Sequence, residues 1–152
     1  MQVKEILRIK GSTLYTVTPT TTLADAVISM ADHDIGSVVV MEGGKLAGML
    51  TFREIIKVLA KRQQENRVGP TPTMSQISVA EVMNAQPAIA SPAMEVDELR
   101  SVMIESHQRY MPVMEADTLL GVISFHDVAR AVLEEQAFEN RMLKGYIKNW
   151  PA

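Results

Sequence analysis

One pattern limits the folds open to this chain more than any other: it says the same thing twice, 73 residues apart. Gly121-Val122-Ile123-Ser124-Phe125-His126-Asp127 repeats the plan of Gly48-Met49-Leu50-Thr51-Phe52-Arg53-Glu54. In both, an apolar run ends in a hydroxyl with a carboxylate three residues on. From Pro19/Pro92 onward no gap is needed. Identities fall at Pro19/Pro92, Met30/Met103, Val40/Val113, Met41/Met114, Glu42/Glu115, Leu46/Leu119, Gly48/Gly121 and Phe52/Phe125, eight in 34 aligned positions. The apolar pattern agrees between them, so the chain reads as one supersecondary unit in tandem.

The unit can be read locally. Leu14 to Val17 is a short strand stopped by Thr18-Pro19. Thr22, with Asp25 three residues on, starts a helix whose Leu23, Ala26, Val27, Met30 and Ala31 share one face. Gly36 to Met41 is a valine-rich buried strand, Glu42-Gly43-Gly44-Lys45 a hairpin loop, and Leu46 to Thr51 the returning strand. A second helix runs from Phe52 or Arg53 to about Asn66. Prolines and glycine then break the chain over 67–77, a linker. Repeat two has a lead-in helix at Val79 to Met83, a strand at Ala88 to Ala90 and a helix carrying Val96, Leu99, Val102 and Met103. A hairpin of Tyr110 to Met114 and Leu119 to Ser124 follows. The expected organisation is a first repeat over 3–66, the linker, a second repeat over 78–134 and a helical extension over 135–152. In that last helix Val128, Ala131, Val132, Phe138, Met142 and Tyr146 share a face longer than the repeat needs. The excess, ending at Trp150, has two uses: packing on repeat one, or contact with a second subunit.

Neither repeat is large enough to bury its sheet alone. The expectation is therefore an α/β (α+β) fold of two β-α-β-β-α repeats packed sheet to sheet about a pseudo-two-fold axis. That packing leaves two related clefts, each rimmed by one strand-to-helix turn. Composition removes several functions. With no cysteine there are no disulfides and no thiolate metal sites. A net charge of −3 without a basic tract argues against a nucleic-acid backbone binder. No apolar run reaches the roughly 20 residues of a membrane span, so a cytoplasmic protein is expected. The 11 methionines read as malleable core packing, with a methionine-lined cofactor box as the alternative.

The tandem unit, with Gly-h-h-Ser/Thr-x-x-Asp after its second hairpin strand, resembles the CBS domain. Two in tandem resemble the arrangement called a Bateman module, here over about residues 3–147. The resemblance implies a regulatory module, not an enzyme, that binds AMP, ADP, ATP, NAD or S-adenosylmethionine as a regulatory ligand and signals to a protein effector, with a homodimer expected. Carried over by residue, it makes Asp127 the ribose-binding carboxylate, Ser124 its hydroxyl partner, and Arg109 a phosphate contact. It makes Ala88, Ile89 and Ala90, with Met111 and Pro112, the adenine enclosure, and Tyr110 joins the ligand-binding set. His126 is a further cation. The corresponding first-repeat set is Thr16, Val17, Ser37, Val38, Thr51, Arg53 and Glu54. That copy departs from the pattern: Glu54 stands for the aspartate and Gly36 for Arg109.

Elementary chemistry agrees with this implication. A carboxylate can accept from both hydroxyls of a ribose, and such charge-assisted bonds are worth roughly 1.5–3 kcal/mol. The start of the following helix offers free N–H groups to phosphate. The plainer reading of Asp127 is a helix cap; of Ser124, a strand-end serine; of Arg109 and His126, surface residues. Two other functions compete. An enzyme lacks support, because adjacent His126 and Asp127 point apart and no nucleophile, Walker or zinc motif is present. A ligand-free interaction scaffold, working through the long last helix, is the second.

Overall fold

The computed structural model describes residues 1–11, 13–65 and 72–148. Asn66, residues 67–71 of the expected linker and Trp150 lie outside them. In chain order the elements are α1 (Val3–Lys10), β1 (Thr16–Val17), α2 (Leu23–Asp32), β2 (Ser37–Glu42), β3 (Lys45–Thr51) and α3 (Phe52–Glu65). A single 3₁₀ turn (Met74–Gln76) leads to α4 (Val79–Val82), α5 (Val96–Ser106), β4 (Tyr110–Glu115), β5 (Thr118–Ser124) and α6 (Phe125–Lys148).

The duplication holds to the level of single pairings. Ser37 faces Thr51 and Tyr110 faces Ser124, and each hairpin slips register at one place, Val40/Met41 in the first and Val113/Met114 in the second. These positions are related by the same 73-residue shift. Local chemistry explains the ends. The Thr22 hydroxyl accepts from the Asp25 amide at 3.1 Å to cap α2. Gly43 and Gly44 turn the first hairpin at φ 58° and 78°.

The third strand of each repeat is shorter than the sequence reading has it. β1 is only Thr16–Val17, parallel to β2. At Ala88 to Ala90 the strand contracts to a bridge between Ala90 and Val113. The reason is Pro112, which aligns with Val39. Val39 donates its amide to the Tyr15 carbonyl at 3.4 Å; a proline has no amide to give. The Gln108 side chain substitutes, accepting from the Ala88 amide at 3.0 Å and donating to its carbonyl at 2.8 Å.

Two core clusters form, and each repeat's lead-in helix is exchanged. Leu23, Ala26, Met30, Val38, Val40 and Leu50 of the first repeat close around Val79 of α4. Leu99, Met103, Met111, Val113, Ile123 and Val128 of the second close around Val3 and Ile6 of α1. α1 is absent from the sequence reading. Backbone bonds fix the exchange: Val79 N donates to Thr21 O at 2.8 Å, and Val3 N to Met94 O at 2.9 Å. Val3 and Val79 differ by 76 positions while Thr21 and Met94 differ by 73. That three-residue change of offset hides α1 from an ungapped comparison.

Past Val132, α6 leaves the second core. Phe138 is 56 % exposed and Met142 61 %, so neither of these two residues packs on repeat one. No helix among the described residues is long and apolar enough to cross a membrane.

Candidate functional site

Each strand-to-helix turn is built by its own side chains. At the second, the Asp127 amide donates to Ser124 Oγ at 3.1 Å, and Asp127 Oδ2 accepts from the Ser124 amide at 2.8 Å. At the first, Glu54 Oε1 accepts from the Thr51 amide and hydroxyl, both at 3.0 Å. Hydroxyl and carboxylate thus cap the start of α6 and α3, which satisfies amides no helix turn can reach.

Beside each turn lies a cleft assembled from both repeats. The first, about 540 Å³, takes Val122, Ser124, Phe125 and His126 from the β5–α6 turn. Its opposite wall is Tyr15, Asp34, Ile35, Gly36 and Ser37 from repeat one, with Lys10 from α1. The second, about 670 Å³, takes Thr51, Phe52, Arg53 and Glu54 from the β3–α3 turn, facing Asn84, Ser106, His107 and Gln108 of repeat two. Both volumes suit a small organic ligand, whose sites run about 300–1,000 Å³. Arg109 and Tyr110 line both clefts.

Of the residues expected in one Asp127-centred site, Arg109, Tyr110, Ser124 and His126 do meet at the first cleft. Ala90 and Met111 do not, because they are buried in the second core; Pro112 is buried too but lines neither cleft. Ala88 packs against that core, and Ile89 is exposed outside both clefts. In the other set, Thr51, Arg53 and Glu54 line the second cleft, while Ser37 lines the first. Val38 is buried in the first core, Val17 packs on it and Thr16 is exposed. Gly36, the departure from Arg109, has a structural cause. A β-carbon there would strike the Tyr110 hydroxyl, lie 2.6 Å from its Cζ and 2.8 Å from Phe52 Cε2. Only glycine lets the repeats approach so closely.

Asp127 does not itself line the first cleft. Its side chain, 20 % exposed, is taken by Lys10, whose Nζ donates to Oδ2 at 2.7 Å and to the Val122 carbonyl at 2.7 Å. Lys10, like Tyr15 and Ile35, is a site residue that sequence reasoning misses. Its signal is the 76-residue offset that brings α1 into line with α4. Burial pushes the Asp127 carboxyl up, but the Lys10 ammonium and the Ser124 amide outweigh it and hold it below its ordinary value of 3.8. A carboxyl lowered in the folded state stabilises fully above its unfolded value, and that contribution is lost as pH falls through the folded one. We expect Lys10→Met to flatten the loss of stability below about pH 4, read by denaturant titration across acid pH. An unaltered profile would mean the contact does not form in solution.

The first cleft combines cations with flat apolar walls. Lys10, Arg109 and His126 reach it, and neither Arg109 nor His126 is engaged in an ion pair among the described residues. Tyr15 is braced by His33, ring centroids 3.9 Å apart and tilted by 30°. Tyr15, Ile35 and Tyr110 together offer faces for a planar base. Among the described residues no three His, Asp or Glu side chains gather as a metal site needs.

Comparison with known proteins extends this geometry. A family model for the CBS domain matches residues 3–61 and 79–134, more than half the chain. The chain is 31 % identical over 114 residues to the CBS domain-containing protein YhcV of Bacillus subtilis, covering 75 % of each chain. It is similar to the crystal structure of a CBS-domain containing protein from Agrobacterium tumefaciens, with TM-score 0.75 and 30 % identity over 86 % of this chain and 98 % of that one. It also shares the fold of the CBS domain pair of protein MJ0100, solved in complex with 5-methylthioadenosine and S-adenosyl-L-methionine. There the TM-score is 0.74 at 20 % identity, over 89 % of this chain and 98 % of that one.

Proposed function

The chain belongs to the CBS domain family, and on that premise we propose that it is a regulatory module whose first cleft takes an adenosine-containing ligand bearing phosphate. The observation that carries the reading is the convergence of Lys10, Arg109 and His126 on a cleft walled by Tyr15, Ile35 and Tyr110. Arg109 offsets locally the net charge of −3 that otherwise repels an anion, Lys10 being shared with Asp127. The aromatic and apolar walls accept a purine. AMP, ADP, ATP and NAD fit this charge; S-adenosylmethionine, itself cationic, fits it less well. The shared fold of a CBS pair held with adenosyl ligands supports the nucleoside part. The ribose falls to Ser124 Oγ, which lines the cleft, while Asp127 behind it holds Lys10 and the Ser124 amide and so fixes the turn. The second cleft, with Arg53, Lys57 and Glu54, is a further nucleotide site and need not take the same ligand.

Occupancy acts by shifting the angle between repeats, or between subunits of a homodimer, and so changes the affinity of an effector protein. It can do so only by its differential affinity for the two arrangements. Arg109 and Tyr110 border both clefts, so a ligand that reorients either one alters the other cleft.

Thermal unfolding with AMP, ATP, NAD and S-adenosylmethionine tests the reading. A ligand at 100 times its Kd should add about 2.7 kcal/mol of stability. Arg109→Ala should raise that Kd by about 10- to 100-fold, the loss of one charge-assisted contact. A flat response to all four would overturn the proposal and favour an interaction scaffold. Ligand turnover would favour an enzyme.

A further inference from the structure

α6 changes its surroundings half-way along. Val128 and Ala131 are buried in the second core. Seven-residue spacing carries the same stripe on through Glu135, Phe138, Met142 and Gly145. Beyond Val132 the cover thins: Glu135 still shares a small cavity with Met1, Glu95 and Arg100 of the same chain. Phe138, Met142 and Leu143 stand more than half exposed and, with Glu139 and Tyr146, line a shallow apolar depression. A projecting segment over 133–148 is about 24 Å long at 1.5 Å per residue. A helix of that length is marginal in water without a partner.

The charges say which partner. Residues 133–139 contain Glu134, Glu135 and Glu139 and no base, whereas 140–148 contain Arg141, Lys144 and Lys148 and no acid. A parallel pair of such helices would set acid beside acid and base beside base. An antiparallel pair sets Glu134 and Glu135 of one copy alongside Lys144 and Lys148 of the other. We propose that residues 133–148 of α6 pair antiparallel with the same segment of a second copy, about a two-fold axis near Asn140. With the axis there, Phe138 of one copy meets Met142 of the other, and Glu135 meets Gly145. The overlap then spans the free segment and stops where each α6 reaches its own core. Such an interface is self-complementary and closed. The stripe that seats α6 on its own repeat therefore also seats it on the partner. The inference does not depend on a nucleotide.

The native chain has no cysteine, which makes single-cysteine trapping clean. Full-length Glu135→Cys and Gly145→Cys variants, mixed under mild oxidation without ligand, should give a disulfide-linked dimer, and each alone should give little. Sedimentation velocity should show the native chain as a dimer at micromolar concentration. The double variant Phe138→Glu with Met142→Glu should weaken association at least 100-fold while the domain's cooperative unfolding persists, because both positions are exposed in the single chain. A native chain that sediments as a monomer would overturn the proposal. So would cross-linking of either cysteine variant alone at the yield of the mixture, the signature of parallel helices, or a dimer indifferent to the double variant.

Discussion

Ile6→Ala should destabilise the protein by about 2–5 kcal/mol, the range for truncating a large buried aliphatic residue, and the loss should fall on the second repeat although Ile6 lies at the head of the first. Ile6 is 3 % exposed and packs among Leu99, Met103, Ile123 and Val128. The removed methyl groups leave a void that β4 and β5 cannot close, since their hairpin register is fixed on both strands. Equilibrium denaturation gives the size, and hydrogen exchange gives the place. Amides of β4 and β5 should lose protection before those of β2 and β3, despite lying more than a hundred residues from the substitution in sequence. A cost below about 1 kcal/mol, or an early loss confined to the first repeat, would show that α1 is not a part of the second core. Without the exchange of lead-in helices there would be no reason to expect either result.

Gly48→Ala and Gly121→Ala should differ sharply, although they are the same residue at the same place in the two repeats. A β-carbon at Gly48 would lie 2.5 Å from the Asn84 carbonyl oxygen and 2.9 Å from Met83 Sδ. That carbonyl is held by the Met49 amide at 2.9 Å, and Met49 in turn accepts from the Asn84 amide at 2.8 Å. Relief at Gly48 therefore requires breaking a backbone pairing between the repeats. At Gly121 the one close neighbour is Leu7 Cδ2 at 2.9 Å, the end of a side chain that can rotate. We expect about 3 kcal/mol for Gly48→Ala, at the upper end of overpacking costs, and about 1 kcal/mol or less for Gly121→Ala. Paired denaturation curves decide it. Equal costs would mean that the two lead-in segments seat alike.

Both results turn on contacts with no local signature. The first hairpin is readable because a valine-rich apolar run, a two-glycine loop and a returning apolar run are all written within a few residues. The Thr22 cap was readable for the same reason. The edge at Ala88 to Ala90 was not, because what shortens it is a missing amide at Pro112 and a side chain at Gln108. Likewise the helix carrying Ile6 and Lys10 has a plain amphipathic pattern, with Val3, Ile6 and Leu7 on one side. Its meaning depends on a core that begins some 90 residues later.

The site divides the same way. Arg109 and Tyr110 came only with the family resemblance, whereas Ser124 and its neighbour His126 could be placed from a repeated turn. That the Ser124 turn should face Tyr15, Ile35 and Ser37 instead of Ala88 and Ala90 could not. Nor could the capture of Asp127 by Lys10, a pairing 117 residues apart.

By itself the sequence determined the duplicated unit, its hairpins and caps, and the two turns that carry hydroxyl and carboxylate. These follow from the period of apolar residues and from bonds between near neighbours. The tertiary structure alone decided which half supplies each wall of a cleft, which core each lead-in helix completes, and which cation holds Asp127. Those depend on how two marginal units share surface that neither could bury alone, and burial is set by the whole chain at once.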